Sequence, residues 1–154
     1  QYGYHLFDRR MEREVFPYCQ EHGVGVMAYG SLAHGLLTGS FTPQTTFAEN
    51  DWRRGGRAFG LSLFTPENFP KNLAVVEELK ALAARRGKTV LDLALRWVLT
   101  NPVGSVALVG FRKPSEVDGM LGALGWTLSP EELAEIDAIF ARHGVDPAPP
   151  GWLE

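Results

Sequence analysis

Hydrophobic positions in the first thirty residues alternate between strand-like runs and a helical stripe. Residues 1–6 predict the end of a strand, and the short apolar run at 24–28, bounded by glycines, predicts a strand buried on both faces. Between them, Asp8 precedes a helix with apolar positions at Met11, Val15, Tyr18 and Cys19. Pro17 lies in this stripe, so the helix either is kinked or starts late. The order strand, helix, strand predicts a parallel sheet.

Two further helices are predicted where regular patterning resumes at residue 72. Apolar spacing over residues 72–83 indicates the first of them, and Gly87 ends it. Thr89 and Asp92 have the spacing of a capping box and open the second. Apolar residues around Trp97 are so numerous that we expect this second helix to be largely buried.

The last third of the chain predicts one more strand and two helices. The strand is expected at 106–109, and Pro114 is typical of a first helical position. The inner face of that helix is expected to comprise Val117, Leu121 and Leu124. Ser129 and Glu132 form a capping box that opens the final helix, and residues 145–154 predict an extended tail.

Periodicity disappears between residues 30 and 70, where Gly, Pro, Thr, Ser and Arg surround scattered aromatic residues. Such a long irregular segment in a compact domain is usually a lid or binding loop. We therefore predict that residues 40–70 form a mobile loop, whose Phe41, Phe47 and Trp52 pack only when a ligand is bound.

Composition narrows the class of protein. The chain has 154 residues, 45% of them hydrophobic and 21% charged, which is typical of one folded domain. A net charge of −3 offers no basic patch for nucleic acid and no polybasic run for a membrane surface. No apolar run reaches the roughly 18 residues of a membrane span. The single cysteine, Cys19, predicts a buried thiol in a reducing compartment, so we expect a cytoplasmic location.

Common catalytic and metal-binding motifs are missing from the sequence. Its four histidines have no partners at metal-ligand spacing, and it has no serine nucleophile elbow, Walker A loop or Rossmann glycine motif. The chain opens at Gln1 directly inside an aromatic stretch, so we expect it to be part of a longer protein.

Two turns that follow predicted strands are candidates for binding a ligand, because parallel α/β folds bind ligands there. The glycines of residues 28–39 would let backbone amides approach a phosphate, and Tyr29 could stack on a flat ring. Such glycine-rich turns more often only reverse the chain. In residues 110–116, Arg112 and Lys113 lead into a helix and favour an anion, although two solvated surface charges would give the same pattern.

Four groups of residues match motifs of the aldo-keto reductases in the order in which that family has them. They are Gln1, Tyr4, Leu6, Asp8 and Arg9; Tyr29, Gly30, Ser31, Leu32, Gly35, Leu37 and Gly39; Ala94, Leu95 and Trp97; and Gly110, Arg112, Pro114, Val117, Gly122, Ala123 and Leu124. The chain thus resembles the C-terminal half of this family's (β/α)₈ TIM barrel, an α/β fold, from about strand six to strand eight with their helices.

The resemblance implies a site for a nicotinamide cofactor. It places the nicotinamide carboxamide on Gln1, the ring on Tyr29, the pyrophosphate under residues 30–39 and the adenosine 2′-phosphate on Arg112. The cofactor-binding residues implied are Gln1, Tyr29, Gly30, Ser31, Leu32, Gly35, Leu37, Gly39, Gly110, Phe111, Arg112, Lys113 and Glu116. Glu116 and Met120 depart from the family's Gln and Asn, and an acid would repel a 2′-phosphate. NADP(H) is expected because of Arg112 and Lys113, and NAD(H) stays possible because of Glu116.

The same resemblance implies that this chain carries no catalytic residue of its own. The family's Asp, Tyr, Lys and His lie on the earlier strands, so the partners expected are a missing N-terminal half, the cofactor and a small carbonyl substrate. The function implied is part of an oxidoreductase that reduces aldehydes or ketones. A redox-sensing subunit like the potassium-channel β subunits, which share a pattern like Tyr4 and His5, is one alternative. An inactive truncated fragment is another.

Overall fold

The fold is a three-stranded parallel sheet with helices packed against it. The structure is a computed structural model that describes residues 1–150. Its strands are β1 (Tyr2–Gly3), β2 (Val26–Tyr29) and β3 (Gly104–Ala107), and its helices are α1 (Val15–Glu21), α2 (Phe69–Ala84), α3 (Val90–Val98), α4 (Pro114–Asp118) and α5 (Pro130–Arg142). Short 3₁₀ segments lie at Arg10–Glu12, Ala33–Thr38, Trp52–Gly55 and Leu121–Ala123.

The strands lie in the order β1-β2-β3, and both pairings are parallel, which confirms the expected sheet. Gly3 pairs with Tyr29, and Ala28 pairs with Ala107. The third strand begins at Gly104, earlier than the sequence predicted, and one further bond from the Leu108 N–H to the Ala28 carbonyl extends its contact with β2. All three strands end beside one another, so the turns that follow them share one rim of the sheet.

Only one face of this sheet is buried. Val26 and Ala28 of β2 pack into the core, while Met27 between them is 45% exposed and Val106 of β3 is 41% exposed. The prediction that residues 24–28 are buried on both faces is therefore wrong. The reason is that the described residues cover only the face that carries Val26 and Ala28. We call the other face, which carries Met27, Tyr29 and Val106, the open face.

Helix boundaries largely follow the predicted caps. Helix α1 starts late, at Val15, so Pro17 occupies its first turn, where a missing N–H costs nothing. The capping boxes of α3, between Thr89 and Asp92, and of α5, between Ser129 and Glu132, are both present. Trp97 is buried in the core, as predicted.

The predicted inner face of the helix at Pro114 is wrong. Helix α4 ends at Asp118 after five residues, and the chain continues as a 3₁₀ segment at Leu121–Ala123. Val117, Leu121 and Leu124 are 38%, 60% and 56% exposed. They share no continuous helical face, because the helix ends before a second turn is complete.

Residues 40–70 are irregular, as predicted, but they contain their own packed cluster. The rings of Phe41, Phe47, Phe64 and Phe69 contact one another at centroid distances between 5.3 and 6.3 Å. Phe41 and Phe47 therefore have packing partners within the chain itself, whereas Trp52 is 52% exposed. The mobility of the segment stays a prediction.

The C-terminal tail lies back over the start of the chain. The backbone N–H of Arg9 donates to the Pro147 carbonyl at 2.7 Å, and the Arg13 guanidinium donates to the Ala148 carbonyl. Residues 151–154 of the predicted tail lie outside the described residues.

Candidate functional site

A groove of about 280 Å³ lies between the turns that follow β2 and β3. Its lining combines backbone of the first turn with the three residues beyond β3, namely Gly30, Ser31, Leu32, His34, Gly35, Thr38, Leu108, Val109 and Gly110. The two turns that were singled out in the sequence are thus neighbours in space. We call this space the strand-end groove.

The first turn holds an unusual backbone. Gly30 and Gly35 have φ of +68° and +102°, and the non-glycine residues Ala33 and His34 have φ of +48° and +57°. Positive φ costs non-glycine residues about 1–3 kcal/mol, and such strain clusters at ligand sites. The turn is joined to β2 by the Ser31 hydroxyl, which donates to the Ala28 carbonyl at 3.0 Å. Ser31 is 1% exposed, so it shapes the turn and its hydroxyl is already used.

Within the first turn, two residues of the predicted site lie away from the groove. The Leu37 side chain is fully buried in the core. Gly39 faces α2 and α3, since a Cβ there would come within 2.8 Å of Lys80 and Val90 atoms. Their positions in the structure are explained by packing alone.

The second turn presents two cations beside the groove. Arg112 and Lys113 are exposed at the strand-end rim, where they were predicted, and Phe111 is 63% exposed. Lys113 precedes α4 directly and Pro114 is its first residue. With only five residues, α4 contributes a small dipole, so an anion there would depend on the two side-chain charges.

Glu116 already binds the groups that would receive an anion. Its carboxylate accepts the backbone N–H of Arg112 at 2.7 Å and the Arg112 guanidinium at 3.0 Å. The backbone hydrogen bond, then the guanidinium, lower the pKa of Glu116 below its usual value, so this carboxylate stays charged at neutral pH. The sequence placed Glu116 near this site but did not predict the direct pairing.

Tyr29 stands at the end of β2 on the open face of the sheet. Its ring lies over Gly3, where a Cβ would come within 3.3 Å of the ring atoms. Beside it is a second cavity of about 490 Å³, lined by Tyr29, Gly30, His34, Trp52, Arg57, Ala58 and Phe59. We call the four rings of Tyr29, His34, Trp52 and Phe59 the aromatic pocket.

A buried polar cluster supports this pocket, and sequence reasoning missed it. The Asp8 carboxylate binds the Arg10 guanidinium through two bonds of 2.8 Å, and both side chains are nearly inaccessible to solvent. The Arg10 guanidinium also donates to the Phe59 carbonyl at 3.1 Å. The sequence shows only that Asp8 and Arg10 are two residues apart, and this spacing does not predict a contact with Phe59.

His5 and His34 lie close together beside Gly30, with ring centroids 5.8 Å apart, and the pKa of each is lowered. Burial first, then His34 and Arg10, lower the pKa of His5 from 6.5 to about 3. Its Nδ1 accepts the Phe7 N–H at 3.2 Å, which fixes the ring. Burial is also the largest cause that lowers the pKa of His34. Neutral imidazoles can donate or accept a hydrogen bond without adding charge to the site.

The surroundings of Tyr4 do not suit it to donate a proton in catalysis. Its hydroxyl donates to Glu12 at 2.5 Å, and its ring packs between Phe16 and Trp97. Burial and then Glu12 raise its pKa above the usual value of 10. Such a tyrosine is a poorer proton donor than a free one.

The side chains and helices of residues 1–150 bear on two further kinds of site, metal centres and membrane spans. Within that range no three His, Cys, Asp or Glu residues lie close enough to hold a metal ion. None of its helices is long and apolar enough to cross a bilayer. Cys19 is buried and free.

Comparisons with known proteins define the class of this fold. The family model described as "Aldo/keto reductase family" matches residues 1–141. The aldo-keto reductase YhdN of Bacillus subtilis is 37% identical over 151 residues, which is 97% of this chain and 44% of that protein. The structure of the glycerol dehydrogenase AKR11B4 from Gluconobacter oxydans superposes with a TM-score of 0.87 and 39% identity, over 99% of this chain and 45% of the other.

A third relative is more distant. The holo form of the aldo-keto reductase AKR11C1 from Bacillus halodurans superposes with a TM-score of 0.64 at 25% identity, over 89% of this chain and 40% of the other. The structure is thus an α/β fold with a parallel sheet, and the solved structures it resembles are a glycerol dehydrogenase and an aldo-keto reductase. The chain belongs to the aldo/keto reductase family. It spans less than half the length of the relatives that it matches.

Proposed function

We propose that this chain is the C-terminal half of an aldo-keto reductase barrel, from about strand six to strand eight, and that it supplies the nicotinamide cofactor site. The observation that carries the proposal is the strand-end groove, which joins residues 30–35 to residues 108–110 with Tyr29 and Arg112 nearby. The open face of the sheet is consistent with this placement, because it would line the barrel interior.

The residues present fit a dinucleotide. Glycines at positions 30, 35 and 110 add no side chain to the groove, so the backbone amides there can approach a pyrophosphate. The Tyr29 ring lies beside Gly3, and Gln1, which is exposed, directly precedes the same strand β1. Leu32, His34 and Thr38 line the groove between these ends. The cofactor, when bound, would supply the hydride for reducing a carbonyl group.

Arg112 and Lys113 favour NADP(H), because only that cofactor carries a 2′-phosphate. Glu116 opposes this preference, since a phosphate has to displace its carboxylate from Arg112. NAD(H), which lacks the phosphate, leaves the Arg112–Glu116 pair intact. We therefore propose NADP(H) as the cofactor with NAD(H) as a second ligand of the same groove.

The proton donor for carbonyl reduction belongs to the missing N-terminal half in this proposal. Tyr4 is buried with Glu12, and Tyr29 has no Lys or carboxylate partner among the described contacts. A small carbonyl compound is the proposed substrate of the whole barrel. The relatives are a reductase and a glycerol dehydrogenase, so the redox-sensor alternative is not favoured. The buried, unpaired Cys19 fits a cytoplasmic protein.

Residues 40–70 would act as the lid of this site. Trp52 and Phe59 are the large exposed side chains of the segment, and both line the pocket next to Tyr29. Hydrogen exchange of residues 40–70, measured with and without cofactor, tests whether the segment closes over the site. Protection around these two residues should rise when NADPH binds, and unchanged protection would contradict a lid.

The central test is complementation. The purified chain is mixed with NADPH and a reactive aldehyde, and the assay is repeated with the complementary N-terminal half added. We expect NADPH oxidation only when the N-terminal half is added, because the proton donor for carbonyl reduction is then present. Oxidation by this chain alone would place the catalytic residues within residues 1–154. Failure of NADPH to bind either preparation would reject the cofactor site.

A further inference from the structure

The strained first turn is held by a side chain from outside it. Ala33 and His34 have positive φ in succession, which is unfavourable for non-glycine residues, so other contacts have to fix this backbone. Arg53 supplies one of them across 19 positions of sequence, because its guanidinium donates to the His34 carbonyl at 3.2 Å. The same guanidinium lies against Gly35, where a Cβ would come within 3.2 Å of Nη1.

Arg53 is itself fixed by several contacts. Its Nε donates to the two carboxylate oxygens of Asp51 at 3.0 and 3.2 Å, and its Nη2 donates to Oδ2 of Asp51 at 2.5 Å. Its guanidinium also lies over the Phe47 ring at 4.8 Å and the Phe41 ring at 5.6 Å. A planar guanidinium that is paired with a carboxylate and packed on rings has little freedom, so it can fix the groups that it contacts.

The neighbouring arginine shows an ordinary surface pair in the same segment. The Arg54 side chain is 60% exposed and lies 3.9 Å from Glu49, which is 95% exposed. The side chains of Arg53 and Asp51 are only 27% and 19% exposed. Exposed ion pairs contribute little, whereas several charge-assisted bonds in one partly buried pair restrict both side chains. The Asp51–Arg53 pair therefore has a structural role at the first turn that Arg54 lacks.

We propose that the Asp51–Arg53 pair is a positioning element of the cofactor site, which holds the backbone of His34 and Gly35 in the conformation that admits the pyrophosphate. Neither residue of the pair lines the strand-end groove, whereas His34 and Gly35 both line it, so the pair acts through the first turn. The inference rests on the proposed function for the identity of the ligand. It gives residues 40–70 a second role besides that of a lid.

Hydrogen exchange of the chain without any ligand tests the contact between the pair and the turn. The backbone N–H groups of Gly35 and Leu37 both donate to the Leu32 carbonyl at 3.1 Å, so their exchange rates report on the turn. Arg53→Ala should raise these rates at least about tenfold, because a charge-assisted hydrogen bond to the turn is lost. The exchange rates of the α2 amides should stay unchanged.

Two further variants serve as controls for exchange. Asp51→Asn keeps the size of the side chain but removes its charge, so it should raise the same rates by less than Arg53→Ala does. Arg54→Ala removes an exposed arginine from the same segment and should change nothing. Unchanged rates at the turn in Arg53→Ala would overturn the proposal. An equal rise in the rates of α2 would also overturn it, because that result indicates general destabilisation.

Equilibrium binding with two probes tests the link to the cofactor. ADP-ribose carries the pyrophosphate, and adenosine 2′-phosphate carries only the end of the dinucleotide that is proposed to contact Arg112. Binding is measured on the chain with the complementary N-terminal half added. Arg53→Ala should weaken ADP-ribose at least about fivefold, because displaced backbone donors lose hydrogen bonds to the phosphates. The affinity for adenosine 2′-phosphate should not change, and Arg54→Ala should affect neither probe.

The outcomes separate this inference from the proposed function. An equal loss for both probes would overturn the inference, because it indicates general disruption. Unchanged ADP-ribose affinity despite faster exchange at the turn would also overturn it, because pyrophosphate binding would then not need the pair. If exchange responds as expected but ADP-ribose fails to bind the unmodified protein, the pair still positions the turn, and the cofactor groove of the proposed function is rejected.

Discussion

The carboxylate of Glu116 accepts two hydrogen bonds from Arg112, one from the backbone N–H at 2.7 Å and one from Nη2 of the guanidinium at 3.0 Å. The pair lies at the surface, where the Arg112 side chain is 90% exposed. An exposed pair is weak, so a phosphate can displace it, but the displaced carboxylate stays nearby and charged. If Arg112 binds the 2′-phosphate as proposed, cofactor choice is a competition between this phosphate and the Glu116 carboxylate for one arginine.

Replacing this carboxylate should change the choice of cofactor. Glu116→Gln keeps an oxygen for the Arg112 N–H but removes the charge, so NADPH should bind roughly three- to tenfold tighter while NADH is unaffected. Fluorescence titration with both cofactors measures the ratio. The gain should shrink at high salt, and Arg112→Ala should move NADPH affinity in the opposite direction. Equal changes for both cofactors would show that Glu116 does not compete with the phosphate.

The buried His5 predicts a loss of stability in mild acid. Its pKa falls from 6.5 in the unfolded chain to about 3 in the fold, so below pH 6.5 the unfolded state gains a proton that the folded state refuses. Stability should fall by about 2 kcal/mol between pH 7 and pH 5 from this residue. Urea unfolding at pH 7 and at pH 5 measures this change in the free energy of unfolding. His5→Asn keeps an acceptor for the Phe7 N–H without titrating, and an undiminished pH dependence in this variant would reject the assignment.

Local signals predicted the helices and the sheet well, because caps and apolar spacing act over a few residues. The two capping boxes and the late start of α1 beside Pro17 follow from such signals. The exposure of Met27 was not predictable in this way, since burial of a strand face depends on what else in the chain covers it.

Only those parts of the candidate site that depend on local signals were predicted. Turns at strand ends can be located from glycines and strand order, so Tyr29, Gly30 and Arg112 were found near one rim. The contact from Arg10 to Phe59 joins residues 49 positions apart in a segment with no periodicity. No local pattern encodes that contact, so the sequence did not predict that Phe59 lies beside Tyr29.

Gly122 is expected to tolerate no side chain. A Cβ there would lie 2.3 Å from Oδ1 of Asp92, which forms the capping box of α3 with Thr89, and all three nearest atoms belong to that carboxylate. Gly122→Ala should therefore lower the free energy of unfolding by about 1–3 kcal/mol through overpacking and loss of the cap. Gly119→Ala is the matched control, since its nearest atoms are 3.5 Å away. Equal urea midpoints for the two variants would contradict this account.

The open face of the sheet should make the isolated chain self-associate. Met27 and Val106 expose apolar surface beside two strand edges, β1 and β3, whose outer backbone groups have no neighbouring strand in the described sheet. Met27→Lys should lower the associated fraction measured by sedimentation, because a charge on this face opposes its burial against another copy. Val24→Lys, at an exposed apolar residue that precedes β2, should leave the fraction unchanged.

The same variant also tests the barrel. If the open face lines the interior of a complete barrel, a lysine at position 27 has to be buried there without a partner, which costs several kcal/mol. Met27→Lys should then abolish complementation by the N-terminal half, whereas Val24→Lys should complement normally. Normal activity with Met27→Lys would show that Met27 stays exposed in the assembled protein and would remove the open face from the barrel interior.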